Sequence, residues 1–270
     1  MNLSIWSSYY MDLSPEDMVC EYEKSGILYS ELSDEHAYVL LQRGNAKEVG
    51  KQFKKFADEH HVKFPQGHLW LNCKICQSDR TFVIDTLKTW LDLFGAIGIK
   101  RAVLHCDGES FSTNTSADEK YKANISVLKE LTEYLKGCDM IICIENLRKF
   151  TTGVDELLKI TNAVDSKNIG ICLDTGHLNL THKNQKEFIK KSGKHLQALH
   201  IADNEGKTDQ HMMPFGKGNV DFIKVVQALK NANFDGLFNL EIPGERTCPL
   251  EIRKYKIEYI KNIFKYLINR

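Results

Sequence analysis

A closed (β/α)8 barrel is the fold class this sequence predicts, and three observations carry the prediction. Short apolar runs rich in β-formers alternate with helix-spaced segments from one end of the chain to the other. The interiors of those runs are near-continuously apolar, as in a parallel sheet covered on both faces, and do not show the in/out alternation of a half-solvated sheet. The length of 270 residues is close to the roughly 250 that one such barrel needs.

Each element can be justified in chain order. The first strand is expected in "NLSIWSSYY" near the start, followed by a helix over "SPEDMVCEYEKSG", with Ser14 as N-cap and Pro15 in the first turn. "SGILYSEL" is the second strand, and a charged helical stretch that includes His60 and His61 leads into a third, looser one in "VKFPQGHLWL". "RTFVIDTLKTWLDLFGAIG" and "ADEKYKANISVLKELTEYLKG" are long amphipathic helices on either side of the strand "GIKRAVLHCDG". The alternation continues with strand "KGCDMIICIEN", helix "VDELLKITNAV", strand "KNIGICLDTGH", helix "NQKEFIKKSGK" and strand "KHLQALHIADN". Helix "VDFIKVVQALKNAN", strand "FDGLFNLEIPGE" and the terminal helix "LEIRKYKIEYIKNIFKYLINR" complete eight units. With no Pro/Ser/Gly-rich linker between them, residues 1–270 are expected to form a single domain. An open doubly wound sheet is the main rival, but no glycine-rich phosphate loop follows the first strand.

Composition narrows the function classes. Lys+Arg and Asp+Glu are equal at 36 each, so there is no long-range positive field to gather a nucleic acid. The N-terminus lacks a basic, then apolar, leader pattern, and no window offers the ~18 apolar residues of a membrane span. A cytoplasmic protein is the expectation. The eight cysteines are scattered, several inside apolar runs, and the lone pair in "CKIC" has no second pair to complete a zinc ribbon.

In a barrel of this type the side chains that do chemistry stand at the C-terminal ends of the strands and in the loops beyond. Those positions here read His68, His105, Glu145, Asp174 with His177, His200, Asp209 with His211, and Glu241. A single histidine or acid of this kind usually packs or caps a helix, and His36, His60, His61, His182 and His195 are read so. Gathered at one rim, however, several carboxylates repel by several kcal/mol at an effective dielectric near 20 unless a cation sits among them. A divalent metal is therefore expected, and a mixed O/N ligand set suits Mn²⁺ or Zn²⁺ first, then Co²⁺ or Fe²⁺.

At these residues the chain resembles the xylose isomerase-like barrel superfamily, which holds sugar and sugar phosphate isomerases and epimerases and the endonuclease IV type of abasic-site nuclease. "IEN", "LDTGH", "LHIADN", "DQHMMPFGKGNVDF" and "LEIPGE" carry the resemblance, and "GILYSEL", "GHLWL" and "VLHCDG" extend it toward the N-terminus. The isomerase branch implies a metal on Glu145, Asp174, His200 and Glu241, with Glu145 and Glu241 as base and acid moving a proton beside a carbonyl through an enediolate. His177, Glu31 and Lys207 would then contact a small sugar or sugar phosphate. Ketohexose 3-epimerases of the superfamily place an arginine shortly after the residue matching His200, whereas "HIADNEGK" offers Lys207 as its nearest cation. Arg148, Lys207, Lys217 and Arg246 lie near the motifs and could meet a phosphate. The nuclease branch implies three zinc ions on His68, His105 and Glu145; on Glu145, Asp174, His200 and Glu241; and on His177, Asp209 and His211. Neutral net charge and the lack of Arg-rich loops weigh against it. A homo-oligomer is a further implication of the resemblance.

Overall fold

In the computed structural model, residues 1–244 and 247–270 are described. Arg246, one of the candidate phosphate contacts, and Glu245 lie outside them. The strands are β1 (Asn2–Trp6), β2 (Tyr29–Leu32), β3 (Lys63–His68), β4 (Arg101–Leu104), β5 (Ile141–Glu145), β6 (Ile169–Asp174), β7 (Leu196–His200) and β8 (Leu237–Leu240). They form one parallel sheet in the order β7-β6-β5-β4-β3-β2-β1-β8. A bridge between Ile201 and Leu240 closes it into the (β/α)8 barrel, with Ile201 N donating to Asn239 O at 2.8 Å and Glu241 N to Ile201 O at 3.1 Å.

The helices are α1 (Pro15–Lys24), α2 (Asp34–Leu41), α3 (Ala46–Glu59), α4 (Arg80–Ile97), α5 (Ala117–Tyr134), α6 (Val154–Val164), α7 (Thr175–Thr181), α8 (Gln185–Ser192), α9 (Phe222–Asn231) and α10 (Leu250–Ile268). Local chemistry sets their ends. Ser14 Oγ accepts from Asp17 N at 3.1 Å with Pro15 at the first helical position of α1. Ser116 and Glu119 form a reciprocal capping box on α5, and Gly98, at φ 97°, ends α4 in a left-handed turn that favours glycine.

Two connections differ from the sequence expectation. Between β2 and β3 the chain forms both α2 and α3; in α3, Val49, Phe53 and Ala57 are buried at helical spacing beneath a lysine-rich outer face. After β6 no loop intervenes, because Asp174 ends the strand and at once caps α7, its Oδ1 accepting from His177 N at 2.6 Å.

The main core lies between sheet and helices, and a separate small cluster of Val103, Cys143, Cys172 and Ala198 gathers side chains from β4 to β7. Cys73, Cys106, Cys143 and Cys172 are buried free thiols. Burial pushes the pKa values of Cys73 and Cys76 up to about 12, which leaves the "CKIC" pair poorly nucleophilic. No helix among the described residues is long and apolar enough to cross a membrane.

Candidate active site

Four consecutive strands deliver one acid or imidazole each to the C-terminal rim: Glu145 from β5, Asp174 from β6, His200 from β7 and Glu241 just beyond β8. Register places Asp174 directly opposite His200. One ligand atom from each of the four lies within 4.8 Å of the others. All four side chains are buried, Glu241 being 5% exposed and Glu145 1%.

The histidines at the rim are oriented by what their far nitrogens touch. His68 Nδ1 donates to Leu69 O at 2.7 Å, and His211 Nδ1 donates to Glu241 O at 2.9 Å. His177 Nδ1 lies 3.1 Å from Asn146 O and 3.1 Å from Glu145 Oε1. A carbonyl can only accept, so these rings carry a proton on Nδ1 and turn Nε2 toward the acids, where a proton in the metal-free chain or a cation can sit. Metal-binding histidines are typically held in this way.

Asp174 Oδ2, His200 Nδ1 and Glu241 Oε2 are buried atoms without a hydrogen bond, and so are His68 Nε2 and Asp209 Oδ1. His200 Nδ1 does stand 3.1 Å from Glu145 Oε2 and 3.3 Å from Glu241 Oε2. Those separations are short, but the directions are wrong for hydrogen bonding, as expected of atoms aimed at a shared point and not at each other. The donor set of three carboxylates and one imidazole, buried and converging, fits a divalent metal.

Two further groups adjoin this one. His68, Glu145 and His200 form the first, and His177, Asp209 and His211 the second. In the second group, His177 Nε2 is 3.1 Å from Asp209 Oδ2, and His211 Nε2 is 3.3 Å from Asp209 Oδ1. His105 Nε2 meets Glu145 Oε2 at 3.2 Å. Of the trio expected around His68 and His105, it is thus His200 that shares a focus with His68 and Glu145, while His105 contacts Glu145 from the side.

Charges in so dry a site shift one another strongly. Burial works to raise the Glu145 carboxyl, but the charges of His200 and His105 and hydrogen bonds from His105 and His177 hold it well below the usual carboxylate range. Burial pushes Glu241 the other way, up to about 8, against the pull of His200 and His211. Burial also opposes the charged forms of His68 and His211, yet Glu145 lifts the first to about 9 and chiefly Asp209 lifts the second to about 10. Asp209 sits far below its ordinary value: burial raises it, and the His177 and His211 rings beside it more than reverse that.

A cavity of about 860 Å³ opens over this rim, lined by Trp6, His105, Glu145, His177, Asp209 and Glu241 among others. Asp174, His200 and His68 stand behind that lining. Glu31, expected to touch substrate, is 0% exposed behind His200 and outside the lining. It stands one residue before the end of β2, and its carboxylate meets His200 and Asn239 inside the barrel. Lys207 and Lys217 are exposed and outside the lining, whereas Arg148 lines the cavity with Nε 3.7 Å from Asp209 Oδ2.

Sequence reasoning missed the residues that brace the site. Asn146 clamps β5 to β6, accepting from Asp174 N at 2.8 Å and donating to Asp174 O at 3.0 Å. Asp203 Oδ1 accepts from Asn204 N at 2.9 Å and Val220 N at 3.0 Å, closing the loop that carries Asp209 and His211. Asn204 Nδ2 donates to Gly176 O at 2.8 Å, tying that loop to α7. "IEN" and "ADN" were visible as motifs, but nothing in them separates a brace from a ligand.

Comparison with known proteins agrees with the barrel fold. Residues 23–263 match the family described as "Xylose isomerase-like TIM barrel". A D-psicose 3-epimerase from Enterocloster bolteae is 25% identical over 135 residues, 48% of this chain and 43% of that protein. A probable endonuclease 4 from Mesomycoplasma hyopneumoniae is 30% identical over 173 residues, 58% of this chain and 59% of that one. The matched stretch spans 42% of the first curated relative's length and 63% of the second's. Among solved structures, D-psicose 3-epimerase from Clostridium cellulolyticum H10 with D-tagatose superposes with TM-score 0.83 at 14% identity, covering 99% of both chains, which shows a shared fold.

Proposed function

The chain belongs to the xylose isomerase-like TIM barrel family, and from that premise we propose that it is a metal-dependent isomerase or epimerase of a small sugar or sugar phosphate. One observation carries the reading: three buried ligand atoms without hydrogen bonds, on Asp174, His200 and Glu241, converge with Glu145 at the wall of a cavity of about 860 Å³, a size suited to a small-molecule substrate. Glu145, Asp174, His200 and Glu241 would hold the cation. A divalent cation held there, Mn²⁺ or Zn²⁺, would supply Lewis acidity toward a substrate carbonyl and the neighbouring hydroxyl and so make the intervening C–H more acidic.

The chain's own residues supply the rest. Glu145 and Glu241 come from the two ends of a four-strand arc and both line the cavity, so they can address opposite sides of one substrate carbon. Glu145 takes the proton and Glu241 returns one. His177, oriented by Asn146, presents Nε2 to a substrate oxygen. The absence of an arginine after His200 favours a substrate other than a simple ketohexose for 3-epimerisation. Incubating a panel of ketoses and ketose phosphates in deuterated water tests the reading. Deuterium should enter at the carbon beside the carbonyl with the native chain, and exchange should fall by about 10²- to 10⁴-fold in Glu145→Gln and Glu241→Gln. No exchange with any member of the panel would count against it.

A second reading has its own observation. Three neighbouring ligand groups, sharing Glu145 and His200 between two of them, are also what a three-metal phosphodiesterase acting on abasic DNA needs. Charge disfavours it: each cation at the cavity mouth already faces a carboxylate, Lys74 and Lys149 sharing Glu109 at 3.9 Å each and Arg148 3.7 Å from Asp209. Nicking of an abasic duplex by chain that exchanges no ketose would reverse the order of the two.

A further inference from the structure

A chain of hydrogen bonds crosses the barrel interior behind the site, and the proposed reaction leaves it without a task. Ser4 Oγ on β1 donates to Asn239 Oδ1 on β8 at 2.8 Å. The Asn239 amide nitrogen donates to Glu31 Oε2 on β2. From the far side, His200 Nε2 on β7 meets the other oxygen, Glu31 Oε1, at 3.0 Å. All four residues are 0% exposed. Since β2 and β7 are not neighbours in the sheet, the last contact spans the interior.

The polarity of this chain is fixed. Because the Asn239 oxygen receives the Ser4 hydroxyl, its NH₂ must face Glu31. Glu31 therefore receives an N–H from both sides, and only an acceptor-only side chain satisfies both at once. The proton of His200 accordingly stays on Nε2. That leaves Nδ1 as the ring atom available to a cation, and it lies 3.1 Å from Glu145 Oε2 and 3.3 Å from Glu241 Oε2 without a hydrogen bond.

A bland account would have Glu31 merely filling space and satisfying a buried ring. Packing does not ask for that, because the β4-to-β7 part of the barrel has a cluster of Val103, Cys143, Cys172 and Ala198. A buried carboxylate is an expensive filler. We propose that Glu31 is a positioning residue for the cation group, with Asn239 and Ser4 holding its carboxylate in place. It sets the His200 tautomer and strengthens Nδ1 as an electron-pair donor. This rests on the reading that Glu145, Asp174, His200 and Glu241 hold a divalent metal.

Cobalt(II) is the probe, since its visible absorption reports ligand field as well as occupancy. Full-length native chain, Glu31→Gln, and Glu31→Gln combined with Asn239→Asp are freed of metal, melted, and titrated. Glu31→Gln sets two NH₂ groups against each other; the added Asn239→Asp restores the hydrogen bonding while moving the negative charge one residue away from His200. Glu31→Gln is expected to bind cobalt on the order of 10- to 100-fold more weakly with an altered spectrum. In the combined variant the metal-free melting temperature should return while affinity and spectrum should not. If affinity returns along with melting temperature, or if Glu31→Gln binds within twofold of the native chain with an unchanged spectrum, the relay is refuted. Native chain that takes up no cobalt would instead sink the metal reading itself.

Discussion

Glu241, His68 and His211 share a property with a visible consequence: in the folded chain without metal each keeps its proton to unusually high pH. His68 and His211, at about 9 and about 10 against 6.5 for a free histidine, contribute stability that is complete below pH 6.5 and is lost as pH rises through their folded values. Glu241, at about 8 against 4.5, acts in the same direction, since above pH 4.5 the unfolded chain releases a proton that the fold retains. The depressed carboxyls, Glu145 and Asp209, matter only in acid, where their contribution is lost as pH falls. Chelator-treated protein should therefore melt at progressively lower temperature between about pH 6.5 and pH 10. A cation competes with these protons for the same lone pairs, so saturating metal should flatten that slope. Thermal melts across the range check this, and a melting temperature that climbs with pH in the metal-free chain would be the wrong sign. At this scale the acids and imidazoles that converge at the rim were legible, because they end apolar runs that a parallel barrel brings to one mouth. Asn146, Asp203 and Asn204 were not, since their work is done through backbone partners that only the fold brings near.

Among elements, the loop from β7 to α9 depends most on one glycine. A Cβ on Gly218 would stand 2.0 Å from Asp203 Cγ, and Asp203 is 1% exposed with its Oδ1 committed to two backbone N–H groups. Gly218→Ala is expected to cost about 1–3 kcal/mol through overpacking, and to shift the loop that brings Asp209 and His211 to His177. Urea unfolding gives the first quantity and zinc binding by the second ligand group the second; an unchanged midpoint would show that the loop yields freely. Elements with long, regular patterns were legible, such as α4, α5 and the β5 and β6 runs. Helix α7 was hidden because Asp174 serves at once as last strand residue, helix cap and candidate ligand, leaving no turn signal between the two elements. Helix α2 was not read at all, and α3 showed only as a charged stretch around His60 and His61, since Lys and Glu spacing says little until the buried face of Val49, Phe53 and Ala57 is seen against α4.

As a whole, the molecule carries equal numbers of acidic and basic side chains and concentrates acids and imidazoles at one rim. Closure of the sheet through Ile201 and Leu240 brings Glu241 alongside His200, and residues far apart in sequence meet only because of it. The eightfold alternation made the barrel legible in the sequence; the division of its interior into an apolar part and a buried polar relay was not, because Ser4, Glu31 and Asn239 sit in short strands whose facing is decided by register. Everything said of function depends on a cation at Glu145, Asp174, His200 and Glu241. The most direct test is elemental analysis by mass spectrometry of chain purified without chelator, beside the same chain carrying Asp174→Ala and His200→Ala. The account predicts at least one tightly held Mn, Zn, Co or Fe per native chain, absent from the variant although the variant remains folded. A native chain free of metal, or a variant that retains all of it, would contradict the account.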